Sequence, residues 1–193
     1  MLKKPALFFI SSLLLFSLFY ACKGDYTPKP RGHFRIDLPE KVYVEFDSSC
    51  PFTFQFPSYA IVVPDNSPGA EPCWLNVRYL PFNATLHLSY KDLKRENLDK
   101  LLEDSRSLAF KHTVKAEEIL EGVIRTENNV NGMRYEMTGN TATAMQFYLT
   151  DSTKNYLRGA LYFNVKTEPD SIGPVVEFLS KDISRMINTL KWK

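Results

Sequence analysis

A basic head, an apolar run and a cysteine follow one another at the start of this chain, and they constrain everything downstream. Lys3 and Lys4 precede about 16 mostly apolar residues, from Ala6 to Ala21, interrupted only by Ser11, Ser12 and Ser17. Cys22 comes directly after the small Ala21. This is the n-region, h-region and small-residue site of an export signal, with Cys22 where bacterial lipoproteins carry their acylated residue. The alternative is an uncleaved anchor. A spanning helix takes roughly 20 apolar residues, however, and the polar Lys23-Gly24-Asp25 follows at once. Phe19 and Tyr20 are bulkier than the residues usual before the small one. The reading taken is a signal peptide over residues 1–21, with Cys22 as the lipidated mature N-terminus.

Export makes the cysteine count informative. With Cys22 committed to lipid, Cys50 and Cys73 remain as a pair in a disulfide-permissive compartment. Each stands at a punctuated strand edge, in Cys50-Pro51-Phe52 and Pro72-Cys73-Trp74. A bond between them is expected, closing a loop of about 24 residues and contributing roughly 3 kcal/mol on the chain-entropy model. Two buried free thiols are the alternative. Lys3 and Lys4 account for the whole formal charge of +2, so residues 22–193 are formally neutral. A neutral chain without a basic run lacks the electrostatic footprint of nucleic-acid binding. Two cysteines and three scattered histidines show no metal-ligand spacing, so no metal is expected.

The organisation reads as a signal (1–21), a tether (22–32) rich in proline, and one domain (33–193) of ordinary size. Strand signals come first, over residues 33–37 and 42–46 around Pro39. Phe52-Thr53-Phe54-Gln55-Phe56 follows, alternating with period two. Further strands are expected over 59–63, 73–79 and 85–90, with Asp65-Asn66-Ser67-Pro68-Gly69 as a loop. The period then changes. Leu98, Leu101, Leu102, Leu108 and Ala109 recur at helical spacing, with Ser105 and His112 on the same stripe and Asn97 as N-cap. Residues 116–121 read either as a short helical turn or as an irregular lead-in. A meander follows, with strands over 123–127, 133–138, 144–150 and 156–165, separated by turns rich in Asn, Asp and Gly. Pro174 is placed at the start of a closing helix whose face carries Val175, Leu179, Ile183, Met186 and Leu190. Strands, a helix, a meander and a second helix describe an α+β domain, an antiparallel sheet covered by helices.

Certain segments carry a resemblance. They are Tyr26-Thr27-Pro28-Lys29-Pro30-Arg31-Gly32-His33-Phe34-Arg35-Ile36-Asp37-Leu38-Pro39, the two cysteine segments, and Leu86-His87-Leu88-Ser89-Tyr90-Lys91. Further on come Lys111-His112-Thr113, Thr150-Asp151-Ser152 and Leu157-Arg158-Gly159-Ala160-Leu161-Tyr162-Phe163-Asn164. In this order, after a lipoprotein signal, they resemble the gliding-motility lipoprotein family GldD of the Bacteroidota, from Tyr26 to Trp192. The resemblance implies a part in gliding motility and in the type 9 secretion machinery on which it depends, with other envelope proteins of that machinery as partners. It implies a lipid-anchored, periplasm-facing location and leaves the inner or outer membrane open. It implies no catalytic residues and no cofactor. In fold alone, the order of elements is similar to the Mog1/PsbP-type α/β/α sandwich, an analogy that does not set function.

The candidate functional surface comprises His87, His112, Asp151 and Arg158. A buried, hydrogen-bonded structural histidine is the plainer reading of His87 and His112, and a solvated turn that of Asp151 and Arg158. Asp151-Ser152-Thr153 and Asp170-Ser171-Ile172 resemble the short acceptor motif of Bacteroidota envelope O-glycosylation. That makes Ser152 and Ser171 candidate modification sites in expected loops. No Gly-x-Ser-x-Gly elbow, phosphate loop, His-Glu-x-x-His or Cys-x-x-Cys is present. The expectation is therefore a non-catalytic assembly or stability factor. The alternative is an envelope enzyme, hydrolase-like, with an unrecognised site.

Overall fold

The computed structural model describes residues 36–111, 116–139, 141–164 and 169–193, the side chains of 169–171 excepted. Three strands come early: β1 (Tyr43–Phe46), β2 (Phe52–Pro57), whose apolar side chains alternate, and β3 (Ala60–Pro64), a β-branched run. β4 (Leu75–Tyr79) and β5 (Ala84–Asp92) follow, joined by a short 3-10 turn at Leu80–Phe82. α1 (Leu98–Phe110) begins where Asn97 accepts a hydrogen bond from the Lys100 amide, the expected N-cap. The meander is β6 (Ala116–Arg125), β7 (Asn131–Gly139), β8 (Thr143–Thr150) and β9 (Asn155–Phe163). Helix α2 (Pro169–Thr189) and a two-residue strand β10 (Lys191–Trp192) close the chain.

Seven strands make one sheet in the order β3-β4-β5-β9-β8-β7-β6, and β1-β2-β10 make a smaller one. Every described pair is antiparallel. The period-two alternation sends one set of side chains to each face of the large sheet. Leu86, Leu88, Phe147, Leu149, Leu157 and Leu161 point to one side. There they join Leu179, Ile183 and Met186 of α2 and Phe52 and Phe54 of β2 in the main core. The other side carries Tyr135, Met137, Met133 and Tyr148, which pack with Ala109 and Phe110 of α1. Helix, sheet and helix are thus stacked as an α+β sandwich. β8 and β9 are buried on both faces and read as more continuous apolar runs than a one-sided sheet requires, whereas β6 has no buried residue.

Cys50 and Cys73 are bonded, with Cα atoms 5.6 Å apart, and the bond ties the entry of β2 to the entry of β4. Gly159 lies opposite Phe147 in the β8–β9 register, and a Cβ there would sit 2.1 Å from the Phe147 ring. The close approach of ring to backbone is what requires glycine at this point. Among the described residues, no helix is long and apolar enough to cross a membrane.

The structure corrects the element boundaries in three places. Residues 116–121 are neither helical turn nor irregular lead-in but the first half of β6, with a register irregularity between Ala116 and Glu118. Hydrogen bonding to β7 overrides the helix preference of Ala, Glu and Leu there. The closing helix starts at Pro169, and Pro174 lies inside it. Proline's missing N–H is harmless at a first helical position, and Pro169 is the one placed there. Of the strand expected over 33–37, the described part, Ile36 and Asp37, is not strand.

Candidate functional site

β5 and β9 are neighbours, and their register places two of the sequence-selected residues on one face. His87 stands opposite Ala160, and Arg158 opposite Ser89, one pleat away on the same side. Leu86 and Leu88 take the core face, so His87 must point the other way. It is exposed there rather than buried, contrary to the expected structural histidine, because α1 packs over the Tyr135–Tyr148 region of the sheet and leaves β5 open. Tyr162 meets the His87 ring edge-on, with centroids 5.6 Å apart. Partial desolvation lowers the His87 pKa from its ordinary value, while the carboxylate of Asp65 pulls the other way. The imidazole is therefore neutral at pH 7, with one donor and one acceptor nitrogen.

Arg158 donates from Nη2 to Oε1 of Gln146 on β8. Gln146 is only 2 % exposed, and its Nε2 has no hydrogen-bond partner. Asn76, opposite His87 on β4, likewise holds a buried Oδ1 without a partner. Buried amide atoms are ordinarily paired. His87, Asn76, Arg158, Gln146 and Tyr162 thus share one side of β4, β5, β9 and β8, with the two unpartnered amide atoms buried beneath the exposed His87.

Asp151 is not part of this surface. It stands in the β8–β9 turn, where Oδ1 accepts the amides of Thr153, Lys154 and Asn155 at 2.8–2.9 Å and Oδ2 accepts Asn155 Nδ2 at 2.7 Å. Burial raises its pKa, but these donors outweigh burial and hold it at about 2. All its acceptor capacity serves the turn. Ser152 in the same turn is exposed, with φ of 64°, and its amide donates to Thr150 Oγ1 at 2.9 Å. Ser171 belongs to the first turn of α2 rather than to a loop, and its side chain lies outside the described residues. His112 and Cys22 also lie outside them.

A second polar centre escaped sequence reasoning. Asp182 on α2 is fully buried. It accepts from Lys41 Nζ, from Tyr43 OH at 2.7 Å and from Tyr59 OH. Lys41 also donates to the carbonyl of Phe178 at 3.0 Å and lies 3.6 Å from the centre of its ring. Burial first, and the Asp182 carboxylate second, push the Tyr43 phenol up to about 12 and raise Tyr59 in the same direction. One signal for this cluster is in the sequence: Asp182 interrupts the apolar stripe of Leu179, Ile183 and Met186. Its partners come from residues more than a hundred positions away, which no local pattern reports. Between α2 and the β7–β8 end of the sheet lies a cleft of about 400 Å³ whose lining includes Met137, Phe163, Ile172 and Val176.

No cluster of three potential metal ligands occurs among the described residues. The family model for the gliding motility lipoprotein GldD matches residues 23–192. The chain belongs to that family. Membership makes it a lipoprotein of gliding motility and associates it with the bacterial envelope. No curated protein sequence matches the chain. Among solved structures it is similar to the solution structure of cyanobacterial PsbP (CyanoP) from Synechocystis sp. PCC 6803. The identity is 13 % and the TM-score 0.46, over 83 % of this chain and 98 % of that one.

Proposed function

We propose that this lipoprotein is anchored through lipid on Cys22, faces the periplasm, and acts as a non-catalytic assembly and stability factor of the gliding and type 9 secretion machinery. The family match over residues 23–192 carries the reading, because it begins directly after Cys22 and takes in the rest of the chain to Trp192. Two features support binding over catalysis. Asp151 is consumed by its own turn, and Arg158 is held by Gln146. Tethering raises the effective concentration of such a domain near other envelope proteins, so a modest interface suffices.

One observation favours the enzyme alternative: a neutral His87 on an open face, beside Tyr162 and within the influence of Asp65. Deletion and complementation separate the two. Loss of the chain is expected to abolish colony spreading and secretion together, and Cys22→Ser to release the protein from the membrane. His87→Ala and Arg158→Ala are expected to act only through lowered abundance or lost crosslinks to partners. A His87 variant that is folded, abundant and partner-bound yet inactive overturns the non-catalytic reading. Secretion that survives the deletion overturns the link to that machinery.

A further inference from the structure

We propose that the open edge of β6 pairs with the same edge of a second copy of this chain, antiparallel about Val123. β6 is one end of the seven-stranded sheet, and its outer side has no strand neighbour among the described residues. Its backbone phase follows from the hairpin to β7. The Thr126 amide donates to the Val130 carbonyl at 3.0 Å, so these two residues form a hydrogen-bonded pair. Alternation from that pair turns the amides and carbonyls of Ile124, Gly122 and Leu120 toward β7. Those of Arg125, Val123 and Glu121 are left facing outward. An unpaired edge of this kind is a template for another strand unless it is short, bulged, covered, or guarded by proline or charged side chains. β6 has ten residues and no Pro, its irregularity is confined to Ala116–Glu118, and the charges of its regular part, Glu121 and Arg125, are of opposite sign and so guard poorly against a self-complementary partner.

The side chains around the regular part are self-complementary. Val123 is 68 % exposed, the most exposed large apolar residue of those described. Glu121 and Arg125 flank it at equal distance on the same face of the sheet. A two-fold axis through Val123, perpendicular to the sheet, sets Val123 against its counterpart. It also sets each Glu121 against the Arg125 of the other copy, and it keeps the α1 side continuous across the join. Arg125 has no described ion pair, whereas Glu121 already accepts from Arg106 of α1 at 3.3 Å, which holds its carboxylate at the edge. Centring the axis on Glu121 instead opposes two carboxylates and runs the pairing into the irregular segment. The charges thus select both the occupant, a second copy, and the register.

The test uses the full chain in its native membrane and in detergent. Val123 residues paired across the axis have Cα atoms about 5.5 Å apart, inside disulfide range. Val123→Cys is therefore expected to form a dimer on mild oxidation, and Val44→Cys, exposed on β1, is expected not to. Val123→Glu and Val123→Lys each place like charges on the axis. Either is expected to weaken association about tenfold, and mixing the two chains to restore it. Arg125→Glu is expected to weaken it similarly. Since all three positions are exposed, unchanged thermal unfolding checks that the fold is intact. A Val123→Cys chain that crosslinks no better than Val44→Cys overturns the proposal, as does one that crosslinks to a polypeptide of different mass. Failure of the Glu and Lys chains to associate on mixing overturns the register.

Discussion

Replacing Asp182 by alanine tests how the segment before β1 is held to α2. The carboxylate is fully buried and takes three donors, from Lys41, Tyr43 and Tyr59. Removing one partner of a buried charged pair costs about 3–5 kcal/mol. The lower end applies, because Lys41 is 26 % exposed and keeps its bond to the Phe178 carbonyl. At about 2–4 °C per kcal/mol for a domain of this size, a loss of about 3 kcal/mol lowers the Tm by about 6–12 °C. Asp182→Asn keeps the shape and one acceptor oxygen, and is expected to lose about 1–2 kcal/mol. Urea and thermal unfolding at pH 7, with the disulfide intact, give both values. The pH dependence adds a second readout. The Tyr43 phenol is raised from 10.0 to about 12, so the protonated form is favoured in the folded state. The Tyr43 contribution is then constant below about pH 10 and is lost as pH rises through about 12. Part of this alkaline loss depends on Asp182 and is expected to shrink in Asp182→Ala, while the part due to burial remains. An Asp182→Ala protein within about 1 kcal/mol of the parent, with an unchanged alkaline limb, refutes the reasoning.

Other outcomes follow from the same packing. Gly159→Ala drives a Cβ into the Phe147 ring and is expected to lose about 1–3 kcal/mol by overpacking, read by chemical denaturation. Asp151→Ala strips the β8–β9 turn of its acceptor and is expected to cost about 1–2 kcal/mol. Because the folded pKa of Asp151 lies below the unfolded one, its contribution is present above about pH 4 and fades as pH falls toward 2. An acid titration of the variant is accordingly expected to be flatter there. Cys50→Ser with Cys73→Ser is expected to lose about 3 kcal/mol, measured against the oxidised parent by urea unfolding.

Elements carried by local periodicity were legible before any coordinates. Phe52-Thr53-Phe54-Gln55-Phe56 reads as a half-buried strand, and Asn97 with the Leu-rich stripe after it reads as a capped helix. Both stand as read. The misread positions are those where propensity and pairing disagree, as in residues 116–121, whose helix-forming residues are held in β6 by β7. His87 was misjudged for a related reason. Alternation tells which side of a strand faces away from its apolar neighbours, but not whether a helix covers that side.

The kind of chain this is can be read from local pattern. Apolar runs, turn residues, cysteine placement and the segments shared with its family depend on near neighbours or on ordered matches along the chain, so they survive without a fold. Tertiary structure alone decided which distant groups meet: Asp182 with Lys41, Tyr43 and Tyr59, Arg158 with Gln146, and Gly159 beneath Phe147. It also decided which strand ends the sheet among the described residues. Strand order and helix placement set those outcomes. They are fixed by the joint burial of apolar faces from opposite ends of the chain, a condition no single segment expresses.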